Sequence, residues 1–282
     1  MKIAVIVLNY NSASDTKKCI SYLIKQSGVE LDIIVVDNSS STEERSTLEL
    51  VLSEYKDICA PHIITYIPND ENHGYNAGNN IGLRYASQQG YKYALISNPD
   101  MEFPDTEYVS KMVHVMCEDS KIAVQGSDII NNEGIHQNPQ RETTYLEELI
   151  WIIQLFKSRS NRLWNVLDYK ESCICDKISG CCLLIRISFL ETVNFFDEHV
   201  FLYSEESILG AQVKLKGMKL FYNSTVYAIH RHIEKSKGRV KPRMRILYKS
   251  RWYYLKTYST YPKIALCLLK FSKTIQRLIF VR

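Results

Sequence analysis

Short apolar runs in the first hundred residues each end at a polar cluster. The polar residues that follow the runs AVIVL, LDIIVV and YKYALIS are Asn9 and Asn11, Asp37 and Asn38, and Asn98 and Asp100. Asp37 and Asp100 are carboxylates, and Mg²⁺ and Mn²⁺ favour carboxylate oxygens while bridging to substrate phosphates. If the clusters lie together, they predict a metal and phosphate site. Taken singly, each aspartate could simply cap a helix.

The apolar runs are rich in β-branched residues, and stretches with helical periodicity separate them. This alternation predicts an α/β fold with buried parallel strands, rather than a β-sandwich or a helical bundle. We predict helices over about 14–26, 42–55 and 76–89, and further strands at 63–67 and 122–125. In open α/β sheets ligands bind beyond the carboxyl ends of the strands. The polar clusters should therefore form one rim.

A glycine- and asparagine-rich segment, NHGYNAGNNIG, covers residues 72–82. Its glycines permit close backbone approach, and a helix that begins inside it would direct N–H groups at an anion. The segment is neither a Walker loop nor a dinucleotide fingerprint. As a loop with ordinary turn chemistry it would need no function.

Two adjacent carboxylates, Glu205 and Glu206, stand at a predicted helix start after FFDEHVFLYS. They could merely complement the helix dipole. Placed over a metal rim, one of them could instead take a proton from an acceptor hydroxyl. His230 and His232 follow the predicted strand LFYNSTVYAI, and a strand-end histidine near such a rim is a candidate metal ligand.

Residues 131–178 interrupt the alternation of predicted strands and helices. Within them, 146–164 carries apolar residues on nearly every face, which predicts a buried helix, with a lid or an acceptor-facing element as the alternative. Regular patterning returns in the strand-like run ISGCCLLIR over 178–186.

Composition excludes several classes of protein. The 282 residues are 45% hydrophobic and 23% charged, which suits a large core and excludes a disordered or collagen-like chain. The spacing of the eight cysteines suits neither disulfide bridges nor a zinc site, so we predict reduced thiols in a cytosolic protein.

The net charge of +4 hides an uneven distribution. Residues 235–282 contain 14 Lys and Arg and no Asp or Glu. Residues 1–234 therefore contain 21 Lys and Arg and 31 Asp and Glu, a net charge of −10. No secretory signal is visible, and the longest apolar stretch of the tail, 264–269, is far shorter than the roughly 20 residues of a membrane-spanning helix. Cations interleaved with apolar residues predict helices on an anionic membrane surface, with packing against the acidic body as the alternative. No nucleic-acid motif accompanies the charge, so nucleic acid is not an expected partner.

The order of these segments resembles the inverting family-two glycosyltransferases of the GT-A fold. The series is VIVLNYN, IIVVDNSS, NHGYNAGNNIG, NPD, SGCCLLIR, FFDE, FLYSEE and a histidine after the last strand. The resemblance is to the rhamnosyltransferase-like branch of bacterial surface-polysaccharide synthesis. It implies a GT-A domain over 1–232, a Rossmann-like, mixed, mostly parallel sheet flanked by helices. A basic amphipathic C-terminal helical region over 233–282 follows.

The resemblance implies a metal-dependent enzyme that moves a sugar from a nucleotide-sugar donor to a glycan acceptor. Candidate donors are dTDP-rhamnose and UDP-sugars, and the expected acceptor is lipid-linked, in capsule or O-antigen synthesis at the inner face of the cell membrane. By position, Glu206 matches the general base, with Glu205 as the alternative, and Asp100 and His230 match ligands of Mg²⁺ or Mn²⁺. The donor-binding residues that it implies are Asn9, Asn11, Asp37, Asn38, Asn72, Gly74, Asn80 and Asn98.

Three residues depart from the family pattern. Asn98 replaces a carboxylate of the metal motif, Glu206 replaces the usual aspartate, and Asn79 stands where many relatives have an arginine. Two other classes stay open. One is a nucleotidyltransferase, which would release diphosphate from a nucleoside triphosphate. The other is a non-catalytic peripheral membrane or glycan-binding module.

Overall fold

The computed structural model describes residues 1–56, 58–151, 166–231 and 240–280. The strands in these ranges are β1 (Lys2–Asn9), β2 (Glu30–Asn38), β3 (Ile63–Asn69), β4 (Tyr93–Ser97), β5 (Met101–Glu102), β6 (Ile122–Asn131), β7 (Cys173–Ile174), β8 (Cys182–Arg186) and β9 (Lys219–His230). The helices are α1 (Ala13–Leu23), α2 (Thr42–Tyr55), α3 (Tyr75–Gln88), α4 (Tyr108–Glu118), α5 (Tyr145–Leu149), α6 (Ile187–Thr192), α7 (Glu205–Leu215), α8 (Val240–Thr257) and α9 (Lys263–Phe280).

The strands of the described residues form one mixed sheet in the order β3-β2-β1-β4-β8-β6-β9-β5, with β7 paired to β9. β1 is parallel to β2 and β4, and β2 is parallel to β3. β8 reverses direction between β4 and β6, and β6 is parallel to β9. The register of β1 and β2 pairs Asn9 with Asp37. The predicted α/β fold is confirmed, and the predicted rim exists at the ends of β1, β2 and β4.

Apolar helix faces cover both sides of the sheet because the central strands are buried on both faces. Residues Ile3 to Val7 of β1 are fully buried. Helices α1, α2 and α4 pack on one face, through residues that include Ile20, Leu23, Leu48 and Met112. Helices α3, α6 and α7 pack on the other face, through residues that include Leu83, Leu190, Leu209 and Val213.

Glycines let α3 lie very close to β1. A Cβ atom on Gly78 would lie 2.7 Å from Cδ1 of Leu8, and one on Gly82 would lie 2.8 Å from Cγ1 of Ile6. Real Cβ atoms do not approach other atoms so closely. These two glycines of the NHGYNAGNNIG segment therefore serve helix packing.

Several predicted boundaries need adjustment. Helix α1 begins at Ala13 and ends at Leu23, so residues 24–26 lie beyond it. The side-chain amide of Gln26 instead contacts the Asp105 carbonyl and the Val109 N–H. The strand predicted at 122–125 continues to Asn131. Of the helix predicted over 146–164, the structure describes only the first residues, and 152–165 lie outside the described residues. All eight cysteines are free thiols.

The C-terminal helices pack on the acidic body through a small third cluster of apolar residues. Its buried members are Val200, Ile208, Tyr254, Leu255 and Leu269. The boundary predicted at 232/233 and the side chain of His232 lie outside the described residues. Within the ranges that the structure describes, no helix is both long enough and apolar enough to span a bilayer.

Candidate active site

The ends of β1 and β2 hold a buried carboxylate. Asp37 is fully buried and accepts hydrogen bonds from Nδ2 of Asn9 at 2.9 Å and from the Ser40 hydroxyl. Nε of Arg45, in the first turns of α2, lies 3.0 Å from Oδ2 of Asp37. Asn11 joins the same loops, since its Oδ1 accepts from the backbone N–H of Ser41 at 2.8 Å. The strand-end loops are thus tied together around Asp37.

A chain of side-chain amides joins the ends of β2 and β3 to the loop before α3. Nδ2 of Asn38 donates to Oδ1 of Asn72 at 3.2 Å, and the same oxygen accepts from the Gly74 N–H at 2.9 Å. Asn69 donates to Oδ1 of Asn38 at 2.9 Å. These contacts place Asn38, Asn72 and Gly74 beside each other, directly before the start of α3.

Asn80 makes a different set of contacts. It is fully buried within α3, and its Nδ2 donates to the Phe196 carbonyl at 2.8 Å and to Oε1 of Glu198 at 2.7 Å. Its Oδ1 accepts from the Phe196 N–H at 3.0 Å. The Asn80 amide therefore holds the loop that leads to α7, rather than joining the Asn38 and Asn72 chain.

Gly74 connects this region to the loop before α7. Its φ of +106° is unfavourable for other residues, and a Cβ atom there would lie 2.3 Å from the carbonyl oxygen of Phe201. The Tyr75 N–H donates to that same oxygen at 2.9 Å. Nδ2 of Asn76 donates to the Asp197 carbonyl at 2.7 Å. The start of α3 and residues 196–201 therefore form one bonded unit.

The predicted metal ligands Asp100 and His230 are neighbours. Residue 101, directly after Asp100, pairs with His230 in the ladder of β5 and β9, and Oδ1 of Asp100 lies 3.3 Å from Nε2 of His230. Nδ1 of His230 lies 3.3 Å from Oε1 of Gln137. Burial lowers the pKa of His230, but its hydrogen bonds and charge interactions with Asp100 and Cys181 outweigh burial and raise the pKa to about 10. A metal ion would have to displace this proton.

The donor set at Asp100 and His230 fits a divalent cation that keeps ligands from its substrate. It offers one carboxylate and one imidazole, and Asn98 lies two residues before Asp100. Within the described ranges, no group of three or more His, Cys, Asp or Glu side chains is placed to hold a metal ion. Mg²⁺ commonly binds through one or two carboxylates, waters and substrate phosphates, so a sparse protein set is consistent with it.

Glu206 reaches the same rim through Gly180. Its Oε1 accepts from the Gly180 N–H at 3.2 Å, and the Tyr75 hydroxyl donates to the Gly180 carbonyl at 2.6 Å. The next residue, Cys181, accepts from the Asn98 N–H through its carbonyl at 2.8 Å. A short stretch of backbone thus links the carboxylate of Glu206 to the loop that carries Asp100.

Glu205 lies in a less polar position. Within the part of the chain that the structure describes, its buried Oε2 has no hydrogen-bond partner. Burial and the neighbouring charge of Glu206 raise the pKa of Glu205 above its ordinary value. A raised pKa favours the neutral acid form of Glu205. Of the two carboxylates, it is Glu206 that contacts the Gly180 N–H, on the backbone that leads to the loop of Asn98 and Asp100.

Sequence reasoning missed four residues at this site, namely Arg45, Tyr75, Gln137 and Cys181. Arg45 follows Asp37 by eight residues on α2, and Tyr75 begins α3, so each had a weak positional signal. Gln137 reaches His230 only through the tertiary fold, and no local pattern marks it.

The fold is that of the GT-A glycosyltransferases. The family model for glycosyl transferase family 2 matches residues 4–190, more than half of the chain, and the chain belongs to this family. The expected family membership is confirmed.

Two curated relatives are glycosyltransferases. The low-salt glycan biosynthesis hexosyltransferase Agl10 of Haloferax volcanii is 28% identical over 231 residues, 81% of this chain and 66% of that protein. Rhamnosyltransferase WbbL of Escherichia coli K12 is 25% identical over 234 residues, 80% of this chain and 82% of that protein. The chain thus spans just under two thirds of the length of the first of these relatives.

Solved structures share the fold. The mannosyltransferase PcManGT of Pyrobaculum calidifontis, in complex with GDP-Man and Mn²⁺, has a TM-score of 0.62 at 14% identity, over 98% of this chain and 75% of that chain. Staphylococcus aureus TarS 1–349 with UDP-GlcNAc has a TM-score of 0.60 at 18% identity, over 100% of this chain and 76% of that chain. At such identities the likeness is one of fold.

Proposed function

We propose that this glycosyltransferase moves a sugar from a nucleotide-sugar donor to a hydroxyl of a glycan acceptor, with inversion of configuration. The observation that carries the proposal is the link from the Glu206 carboxylate through Gly180 to the loop of Asn98 and Asp100. This link supports Glu206 as a proton acceptor close to the strand ends along which the donor is proposed to bind.

The donor binds along the rim. Asn9, Asn11, Asp37 and Asn38 hold the base and the ribose, a role supported by the fixed position of the buried Asp37 carboxylate. Asn72, Gly74 and Asn98 border the diphosphate. Asn80 supports the donor through the loop at 196–198 that its amide holds. Candidate donors are dTDP-rhamnose and UDP-sugars.

Asp100 and His230 would hold a divalent cation, Mg²⁺ or Mn²⁺. Support comes from their contact at 3.3 Å, and the relative PcManGT was solved with Mn²⁺. When bound, such an ion supplies positive charge that stabilises the departing diphosphate.

The chemical step is a single displacement. The acceptor oxygen forms a bond to the anomeric carbon while the bond from that carbon to the diphosphate oxygen breaks. The acceptor proton passes to Glu206, and the electron pair of the broken bond leaves with the nucleoside diphosphate. Glu206 is assigned this role rather than Glu205 because its carboxylate contacts the Gly180 N–H, on the backbone that leads to the loop of Asn98 and Asp100.

The proposed acceptor is a lipid-linked glycan in capsule or O-antigen synthesis, at the cytoplasmic face of the cell membrane. Support for a role in glycan assembly comes from the relatives, one of which is named for glycan biosynthesis and the other as a rhamnosyltransferase.

A panel of nucleotide-sugars tests this function. Purified protein is incubated with dTDP-rhamnose, UDP-glucose, UDP-N-acetylglucosamine or GDP-mannose, with Mn²⁺ and a lipid-linked acceptor, and nucleoside diphosphate release is followed. Release with one donor, lost in Glu206→Gln, is expected. Diphosphate release from a nucleoside triphosphate and a sugar phosphate would indicate a nucleotidyltransferase instead. Donor or glycan binding without any turnover would indicate a binding module.

A further inference from the structure

Helix α9 exposes a continuous apolar stripe. The exposed apolar residues follow one another at intervals of three or four positions and end in one adjacent pair, and they are Ile264, Leu268, Phe271, Ile275, Leu278 and Ile279. Their exposed fractions range from 37% to 78%. At about 100° per residue, they fall within one arc of about 100° on the helix surface. We call these six residues the α9 stripe.

The stripe is distinct from the face by which α9 packs on the body. Leu269 is fully buried in the third apolar cluster. The Ser272 hydroxyl donates to the Leu149 carbonyl at 2.8 Å, and Nζ of Lys273 lies 2.5 Å from Glu148. These contacts fix the rotation of α9 about its axis, so the α9 stripe faces outward as a result of packing.

A basic row forms the third face of the helix. Lys263, Lys270 and Arg277 recur at seven-residue intervals, and all three are exposed. Within the described residues none of them forms a salt bridge, whereas Lys273 on the packing face does. Residues 235–282 contain no Asp or Glu. In the part of the chain that the structure describes, the apolar stripe is therefore bordered by cations that no neighbouring carboxylate neutralises.

The spacing of the stripe would also suit a helix pair, but the charges argue against one. Paired helices are favoured when residues beside the apolar seam carry opposite charges. A second copy of α9 would bring only Lys and Arg toward Lys263, Lys270 and Arg277. An anionic lipid surface satisfies both features, since acyl chains accept the apolar side chains and head-group phosphates accept the cations.

We propose that the α9 stripe is a docking surface for an anionic membrane. Helix α9 lies in the plane of the interface, with its apolar stripe among the acyl chains and its basic row against the head groups. The packing face of α9, with Leu269, Ser272 and Lys273, holds the rest of the protein at the membrane surface. Docking on lipid is separate from sugar transfer, because it can be measured without donor or acceptor.

The test uses the full chain and vesicles of phosphatidylglycerol with phosphatidylethanolamine, compared with pure phosphatidylcholine. We expect co-sedimentation with the anionic vesicles, weaker at high salt. Leu268→Ser with Phe271→Ser should lower the partition coefficient at least about tenfold. Lys270→Gln with Arg277→Gln should lower it about fivefold per cation on anionic vesicles alone.

Matched control variants remove two exposed apolar side chains, or two exposed cations, from other parts of the molecule. Leu50→Ser with Leu215→Ser removes two leucines that are 68% and 79% exposed on α2 and α7. Lys56→Gln with Lys216→Gln removes two exposed lysines outside the tail. Both controls should bind vesicles as the wild type does. Point variants are preferable to deletion of the tail, because deletion would expose the apolar cluster through which α8 packs on the body.

Three outcomes would overturn the proposal. In the first, the wild type fails to bind anionic vesicles. In the second, the stripe variant binds them as tightly as the wild type while its thermal unfolding is unchanged. In the third, sedimentation in the absence of lipid shows a dimer that the stripe substitutions convert to a monomer, which would assign the stripe to a second copy.

Discussion

Nη1 of Arg251 donates to the hydroxyl of Ser207, the residue after Glu206, at 3.1 Å. The same guanidinium lies 2.7 Å from Glu142 and 2.6 Å from Glu148, and its side chain is only 14% exposed. Although burial raises the pKa of Glu142, the charges of Arg251 and Lys177 outweigh this effect and hold that pKa at about 2. Helix α8 is thus clamped to the first turn of α7, which carries the proposed base.

Arg251→Met should lower the free energy of unfolding by up to about 3–5 kcal/mol, because it removes the cation that Glu142 and Glu148 share and leaves only Lys177 and Lys273 beside these buried carboxylates. Urea titration measures this change. The control is Arg84→Met, which breaks the exposed pair of Arg84 and Glu198 and should cost less than about 1 kcal/mol. Equal losses in the two variants would contradict a special role for the Arg251 contacts.

Glu206→Gln should reduce kcat by about two to four orders of magnitude, because the glutamine amide cannot take the proton from the hydroxyl of the glycan. Donor affinity should change little. Steady-state kinetics and a donor-binding titration separate the two effects. Glu205→Gln is the matched variant. If only Glu205→Gln showed a severe loss of kcat, Glu205 and not Glu206 would be the base.

Asp100→Ala should remove metal-dependent transfer and leave the fold intact, because Asp100 follows a strand and contributes little to the apolar core. Turnover is measured with Mn²⁺, with Mg²⁺ and with a chelator, beside a thermal unfolding curve. Near-normal turnover in the variant, insensitive to chelator, would refute Asp100 as a metal ligand.

The raised pKa of Glu205 predicts a pH-dependent stability. A carboxyl whose pKa is higher in the folded state binds more protons there, so its stabilising contribution is full below the unfolded value of 4.5 and is lost as pH rises through the folded pKa. Glu205→Gln should therefore gain stability relative to the wild type as pH increases. Chemical unfolding at a series of pH values measures this difference, and a difference that does not change with pH would contradict it.

Gly74→Ala should destabilise the fold by more than the roughly 1–3 kcal/mol of backbone strain, because its Cβ would also meet the Phe201 carbonyl. Gly90→Ala is the control, since Gly90 has a similar positive φ of +75° and open space around it. The two variants are compared by thermal unfolding. A loss in Gly74→Ala no greater than in Gly90→Ala would show that the loop adapts.

The rim could be predicted from the sequence because short apolar runs mark the strands, and the polar residues of the rim come directly after these runs in the chain. Asn9 and Asp37 indeed face each other across β1 and β2. Contacts between residues far apart in the chain leave no such mark. The bond of Asn80 to Phe196 spans 116 residues, so its role in holding a loop could not be foreseen from its own segment.

In the C-terminal tail, too, the helices could be predicted from the sequence, whereas their long-range contacts could not. Its basic, apolar composition predicts amphipathic helices, and α8 and α9 are helical. Which face of α9 packs inward depends on Leu149 and Glu148, far away in sequence. Composition alone therefore left membrane contact and packing on the body as alternatives, whereas the structure gives α9 separate faces for packing and for solvent.

The bonded unit of Gly74, Tyr75 and Phe201 has a consequence for motion. The loop proposed to border the donor diphosphate and the loop that leads to Glu206 share hydrogen bonds through Asn76 and Asn80 as well. The two loops are therefore expected to move as one body when the donor arrives, so that the distance between leaving group and base is set before the acceptor enters.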